Sequence, residues 1–271
     1  MGSAVPVTLR TPHESPSPSL FEQCVAQANR LRAREPILAR VLAPLAEASS
    51  LEGMLARHLS AVLHAPGVDI PALSDLFAEV LQAHPSITGA AVADLDAACD
   101  RDPACTSPFH ALLNFKGFQA VQAHRVAHHL LQDRREDLAS WLSNRVSVVL
   151  GVDIHPAARL GRGLLIDHGT GVVIGETTVV GDDVSIMQNV TLGGTGNETG
   201  DRHPKIAEGV MIGSGAKVLG NVTIGAMSKV AAGSVVLKDV PPNTTVAGIP
   251  AEVVRWHAPS QMPSQAMDQQ I

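Results

Sequence analysis

Thirteen aliphatic residues in the second half of the chain fall on a six-residue step. Ile154, Leu160 and Ile166 begin it, Ile174, Val180, Ile186 and Leu192 continue it, and Ile206, Ile212, Val218, Ile224, Val230 and Val236 complete it. This hexapeptide repeat is the signature of a parallel β-helix, each hexad being one short strand and a turn. The aliphatic residue points into a thin prism core. A small residue beside it, as at Ala207, Gly213, Gly225 and Ala231, permits the tight corner. So narrow a core has room only for medium-sized side chains. That accounts for an aromatic content of 3% and no Tyr in 271 residues.

The step fails twice. Ile166 to Ile174 is eight residues, and Leu192 to Ile206 is fourteen, an insertion of eight. The first break contains Asp-His-Gly-Thr-Gly (167–171) and the second GGTGNETGDRHPK (193–205), so each carries an Asp and a His. Insertions in a solenoid form loops, often on the binding face. A functional site is expected at these breaks. The Gly-rich segment at 193–196 is no phosphate cradle, because no Lys-Ser or Lys-Thr follows at the required spacing. An active-site flap is the expectation instead.

Residues 19–150 follow a helical period. Ser19-x-x-Glu22 and Ser49-x-x-Glu52 read as capping boxes, and Leu20, Cys24, Ala28 and Leu31 repeat at helical spacing. Seven prolines punctuate the segment into short helices, with 109–132 expected as the longest despite Gly117. His124, His128 and His129 form a polar stripe rather than a metal site, since no acid or Cys shares their spacing. The expected domains are a disordered tail (1–18), an α-helical domain (19–150), a β-helix (151–257) with its loop at 193–205, and a flexible tail (258–271).

The net charge of −6 argues against a nucleic-acid binder, which needs a basic face. No apolar run approaches the ~18 residues of a membrane span, and the first residues lack the blocks of a signal peptide. Cys24, Cys99 and Cys105, an odd number without a C-x-x-C pair, suit a reducing compartment. A cytoplasmic location is therefore expected.

The stretch from "VDIHPAARLGRGLLIDHGTG" through "GGTGNETGDRHPKI", with "GVMIGSGAKVLGN", "AGIPA" and the upstream "ACDRDPAC" and "FKGFQAVQAHRVAH", resembles the serine O-acetyltransferases over roughly residues 20–257. The resemblance implies an α+β chain, helical first and then a left-handed parallel β-helix. It implies acetyl transfer from acetyl-CoA, a co-substrate rather than a resident cofactor, to the hydroxyl of L-serine, giving O-acetylserine for cysteine synthesis. His168 would be the general base, paired with Asp153. Asp102 and Asp167 would hold the serine ammonium, and Arg202 and His203 its carboxylate. Ser214 and Ala232 would line the CoA groove, with Lys217, Lys229 and Lys238 available to phosphates. No metal is implied. The family forms trimers with sites at subunit interfaces, and its helical halves join two trimers into a hexamer. Its C-terminal Ile, here Ile271, docks in O-acetylserine sulfhydrylase, and L-cysteine is its feedback inhibitor. Gly169 departs from the Ala of many members.

The chemistry suits these residue types. A serine hydroxyl is a poor nucleophile without a base in contact. Neutral histidine accepts the proton, and a carboxylate on its second nitrogen steadies the imidazolium. Asp153 lies fifteen residues before His168, short of one ~18-residue coil of three hexads, so contact is feasible but not compelled. A zwitterionic acceptor needs both signs of charge, and Arg202 offers a bidentate fork. Two other readings remain open. One is an acyltransferase acting on homoserine or a sugar. The other is a zinc hydratase using His155, His168 and His203, although a corner role beside Pro156 suits His155 better.

Overall fold

A computed structural model describes residues 19–196, 199–258 and 260–270. The expected tail at 1–18 and Ile271 lie outside the described residues. The first half is helical: α1 (Leu20–Arg34), α2 (Ala39–Ala46), α3 (Leu51–Leu63), α4 (Ile70–Ala83), α5 (Pro85–Arg101), α6 (Pro108–Asn114), α7 (Lys116–Gln132) and α8 (Glu136–Leu150). The capping box at Ser19 and Glu22 is complete. The second cap is one residue later than the pattern suggested. Ser50, not Ser49, accepts the Gly53 N–H at the start of α3. The expected long helix at 109–132 is two, because Phe115 is extended between α6 and α7.

The second half is a left-handed parallel β-helix of about five turns. Its first turn is β1 (Val152–Ile154), β2 (Arg159–Leu160) and β3 (Leu165–Ile166), and its second β4 (Val172–Ile174), β5 (Val179–Val180) and β6 (Ser185–Ile186). The third is β7 (Thr191–Gly193), β8 (Lys205–Ile206) and β9 (Met211–Ile212). The fourth is β10 (Lys217–Leu219), β11 (Thr223–Ile224) and β12 (Lys229–Val230). Next come β13 (Val235–Val236), β14 (Thr244–Gly248) and β15 (Ala251–Trp256), then the single-turn α9 (Pro263–Ala266).

Stacking the turns makes three sheets. Sheet A runs β1-β4-β7-β10-β13, sheet B β2-β5-β8-β11, and sheet C β3-β6-β9-β12-β14, closed by an antiparallel β15. The hexad residues stand directly over one another, as Ile154 over Ile174 and Ile174 over Leu192 in sheet A, or Ile166 over Ile186 in sheet C. Twelve of the thirteen are buried; Leu160, under the helical half, is half-buried. The two breaks are absorbed at corners, and the strand register resumes after each.

One buried ion pair fastens the halves together. Arg125 of α7 binds the Asp94 carboxylate of α5 and donates to the Gly161 carbonyl at 2.6 Å, while Asp94 accepts the Leu164 N–H at 2.9 Å. Arg101, at the end of α5, donates to the Gly163 carbonyl and to Asp183 at 3.0 Å each. Removing one member of such a buried pair costs roughly 3–5 kcal/mol, so this junction is stiff. Its effect is positional: the end of α5 is held against the end of β3.

Gly117 makes a second close junction. A Cβ there would sit 1.9 Å from the Ile166 carbonyl oxygen, so α7 reaches β3 only through glycine. We predict that Gly117→Ala separates α7 from β3, cutting acetyl transfer at least tenfold while the circular dichroism of the folded chain is retained. Near-normal activity in that variant would show the contact to be dispensable.

Residues 263–268 lie on the β-helix, although the polarity of 258–271 suggested a free tail. The Ser264 carbonyl accepts from Ser185 Oγ at 2.8 Å, and Lys229 Nζ donates to the Asp268 carbonyl at 2.8 Å. Pro263 and Ser264 are buried. These side-chain partners hold backbone carbonyls that the tail's own composition does not advertise.

Candidate active site

The corner from sheet C into sheet A carries Asp167, His168 and Gly169. It is a tight turn: the Gly169 N–H donates to the Asp167 carbonyl at 2.7 Å and the Thr170 N–H to the His168 carbonyl at 2.9 Å. His168 has φ +57°, a left-handed backbone that a non-glycine residue adopts at a cost of roughly 1 kcal/mol. The turn projects the imidazole outward, its side chain 71% exposed. Lys116, at the start of α7, bonds Thr170 Oγ1 and ties the turn to the helical half.

Beside His168 is a pocket of about 320 Å³ lined by Asp102, Asn114, Lys116, Gly117 and Asp167. Asp102 caps the end of α5, which the Asp94 and Arg101 contacts hold in place. Burial pushes the Asp167 carboxyl above its ordinary range; the nearby Asp102 adds to the rise, and His168 opposes it. Two carboxyls facing one small pocket make it a site for a cation, whose arrival relieves their mutual repulsion.

Asp153 stands on β1, exposed between buried Val152 and Ile154. Among the described residues no hydrogen bond joins it to His168. The carboxylate at ion-pair distance from the imidazole is Asp167, 3.8 Å from Nε2.

Arg202 and His203 occupy the other end of sheet A, at the corner into sheet B. Arg202 donates to Glu176 at 2.6 Å, and this bond holds the Glu176 carboxyl below its usual range. His203 is buried against Gly175, where any Cβ would lie 2.0 Å from its ring. The Thr177 N–H donates to His203 Nδ1 at 3.2 Å, so the lone pair is on Nδ1 and the proton on Nε2. Burial, then Arg202, keeps this ring neutral by lowering its proton affinity. Arg202 and His203 thus form a donor pair. They lie at the opposite end of sheet A from His168, beyond β4 and one turn further along the prism.

Ser214 and Ala232 share the corner of His168, two and three turns along the prism. They are stacked on each other, the Gly233 N–H donating to the Ser214 carbonyl at 2.8 Å. At ~4.8 Å per turn they lie roughly 10 and 15 Å from His168 along one edge. Lys217 donates to the Asn189 carbonyl, Lys229 is buried under the tail, and Lys238 is exposed.

Of the helical histidines, His124 is buried and uncharged, its pKa pushed down to about 3 chiefly by burial, and His128 bonds the Pro156 carbonyl. His155 accepts the Ala157 N–H within its corner. Among the described residues no three His, Cys, Asp or Glu side chains are grouped to hold a metal ion. Among the described residues no helix is long and apolar enough to cross a membrane. The sequence reading missed Lys116, Glu176 and Thr177 as site residues. The last two lie 26 residues before Arg202 and His203, one 18-residue turn plus the eight inserted, so counting turns would have found them.

Comparison with known proteins bears on this arrangement. Residues 20–123 match the family model "Serine acetyltransferase, N-terminal", and 203–238 match "Bacterial transferase hexapeptide (six repeats)". A probable serine acetyltransferase 1 of Oryza sativa is 52% identical over 92% of this chain and 82% of its own. Soybean serine acetyltransferase complexed with serine superposes with a TM-score of 0.85 at 54% identity, covering 87% of this chain and 97% of that one. Serine acetyltransferase from Brucella abortus in complex with coenzyme A gives 0.86 at 46% identity, over 88% and 96% of the two chains.

Proposed function

The chain belongs to the serine acetyltransferase family, whose acyl donor is acetyl-CoA, and from that membership we propose that His168 is the general base for direct transfer of acetyl to the L-serine hydroxyl. The observation that carries this reading is the convergence of Asp102, Asp167 and His168 on one pocket. The serine ammonium sits between the two carboxylates, which directs its hydroxyl at the imidazole. The neutral ring takes the hydroxyl proton as the oxygen attacks the thioester carbonyl. The tetrahedral adduct collapses, the C–S bond breaks, and the imidazolium returns its proton to the CoA sulfur. Asp153, one turn before on the outer face of sheet A, steadies the imidazolium once the acceptor is seated.

The one cation lining this pocket, Lys116, is tied to Thr170, so the serine carboxylate calls for further donors. We assign that role to Arg202 and His203 of a neighbouring subunit, whose sheet A end meets the His168 corner in a trimer. Ser214 and Ala232 carry the pantetheine arm along the shared edge. Two trimers joined through their helical halves make the hexamer. The product feeds cysteine synthesis, and L-cysteine, a serine isostere, competes for the same pocket. The three free thiols fit the reducing cytoplasm.

The deciding experiment measures CoA thiol release with L-serine, L-homoserine and a galactoside as parallel acceptors. Release with serine at least 100-fold above the others is expected. Equal or faster release with either competitor would overturn the assigned roles of Asp102, Asp167 and Arg202. Ile271, an apolar anchor after a polar segment, is proposed to dock in O-acetylserine sulfhydrylase. Deleting it is expected to abolish co-purification of the two enzymes, and undiminished co-purification would remove that partner.

A further inference from the structure

Cys99 and Cys105 bracket the residue that closes the acceptor pocket. Cys99 is on the last turn of α5, Asp102 caps that helix, and Cys105 ends the turn that follows. The turn is compact: the Ala104 N–H donates to Asp102 Oδ1 at 2.8 Å and the Cys105 N–H to the Asp102 carbonyl at 2.9 Å. The two sulfurs are 3.1 Å apart, and both thiols are free and half-buried. A disulfide needs about 2.05 Å between sulfurs, so a shift of roughly 1 Å joins them.

We propose that Cys99 and Cys105 are a thiol-oxidation site, closed by a small-molecule disulfide, that lowers the affinity of the Asp102 pocket for serine. The link to serine rests on the assignment of Asp102 above; the oxidation itself does not.

The order of attack follows from the surroundings. Burial, then the Cys105 thiol and the neighbouring Asp96 and Asp100, pushes the Cys99 thiol up to about 12, so it is a poor first nucleophile. Cys105, on the turn, enters first. Its thiolate attacks one sulfur of the small disulfide, forming a mixed disulfide and expelling one small thiol. Cys99 gives up its proton and attacks the Cys105 sulfur, expelling the second small thiol. One small disulfide is reduced to two thiols, and two protein thiols become one disulfide.

Closure pulls Cys105 toward α5 and breaks its bond to the Ser107 carbonyl, now 3.4 Å. Ser107 caps α6, which runs into the Asn114–Lys116 wall of the pocket. Both the Asp102 carboxylate and that wall therefore move. A displacement near 1 Å at a positioned group costs on the order of 10²-fold in rate. Through ligand adjustment we expect about a tenfold rise in the KM for serine.

The test incubates the purified full-length enzyme with glutathione disulfide and reads intact mass, peptide linkage and kinetics. Expected results are a Cys99–Cys105 cross-linked peptide, Cys24 still free, a serine KM raised about tenfold, an unchanged acetyl-CoA KM, and reversal by dithiothreitol. The Cys99→Ser chain should stop at a mixed disulfide on Cys105. Absence of the cross-link overturns the oxidation site. A cross-link with unchanged serine KM overturns its coupling to the pocket. Because the cross-link is read by mass, it is scored whichever acceptor the enzyme uses, so failure of the serine assignment and failure of this site are distinguishable.

Discussion

Replacing His168 with alanine lowers kcat for acetyl transfer to serine by about 10²–10⁴-fold, the usual contribution of a positioned general base. The KM for acetyl-CoA stays near the wild-type value, because Ser214 and Ala232 lie roughly 10 and 15 Å away along the edge. The imidazole is exposed and packs little, so the fold is retained. One confounding effect is the backbone: alanine tolerates the left-handed φ of +57° poorly and could disturb the turn that also carries Asp167. His168→Asn separates the two. Asparagine adopts that conformation readily and has no basic nitrogen. If proton transfer is the role, alanine and asparagine variants lose the same rate. If the turn is all that matters, asparagine restores it. A kcat within threefold of wild type in the asparagine variant would remove His168 as the base.

The solenoid was legible because its signal is one-dimensional. Each hexad repeats a single rule, an inward aliphatic beside a small residue, and neighbouring turns enforce the same register on Ile154, Ile174 and Leu192. Both breaks were legible for the same reason. Asp167, His168, Arg202 and His203 are the ionisable residues those breaks carry, and the structure puts them at corners. Asp102 was not legible from spacing. It comes to Asp167 because Asp94, Arg101 and Arg125 lash α5 and α7 to residues 161–164 and to Asp183, contacts separated by 36 to 82 residues in the chain. The helix break at Phe115 escaped a helical reading because local propensity says little about where Gly117 must touch Ile166. The pairing of Arg202 with Glu176 depends on which residues share a corner, and that required the turn count through the insertion.

The separation of His168 from Arg202 along one chain leads to the second large effect. If each site takes its base from one subunit and its carboxylate donors from the next, two defective chains complement each other. His168→Ala alone loses the base. Arg202→Ala alone loses a charged fork, whose removal costs about 2 kcal/mol or more, so activity at limiting serine falls about thirtyfold or further. Co-expressing the two chains in equal amounts gives mixed trimers. A site is intact when the base comes from an Arg202→Ala chain and the donors from a neighbouring His168→Ala chain. With random assembly this occurs at about a quarter of the sites. At limiting serine and saturating acetyl-CoA the mixture should therefore recover about a quarter of the wild-type rate, far above either parent. A site confined to one chain gives no such recovery, because every chain then carries a lesion in its own site. Activity equal to the mean of the two separate variants would return Arg202 and His203 to the surface of a single subunit. It would also leave Lys116, in the lining of the pocket, as the positive charge available to the serine carboxylate.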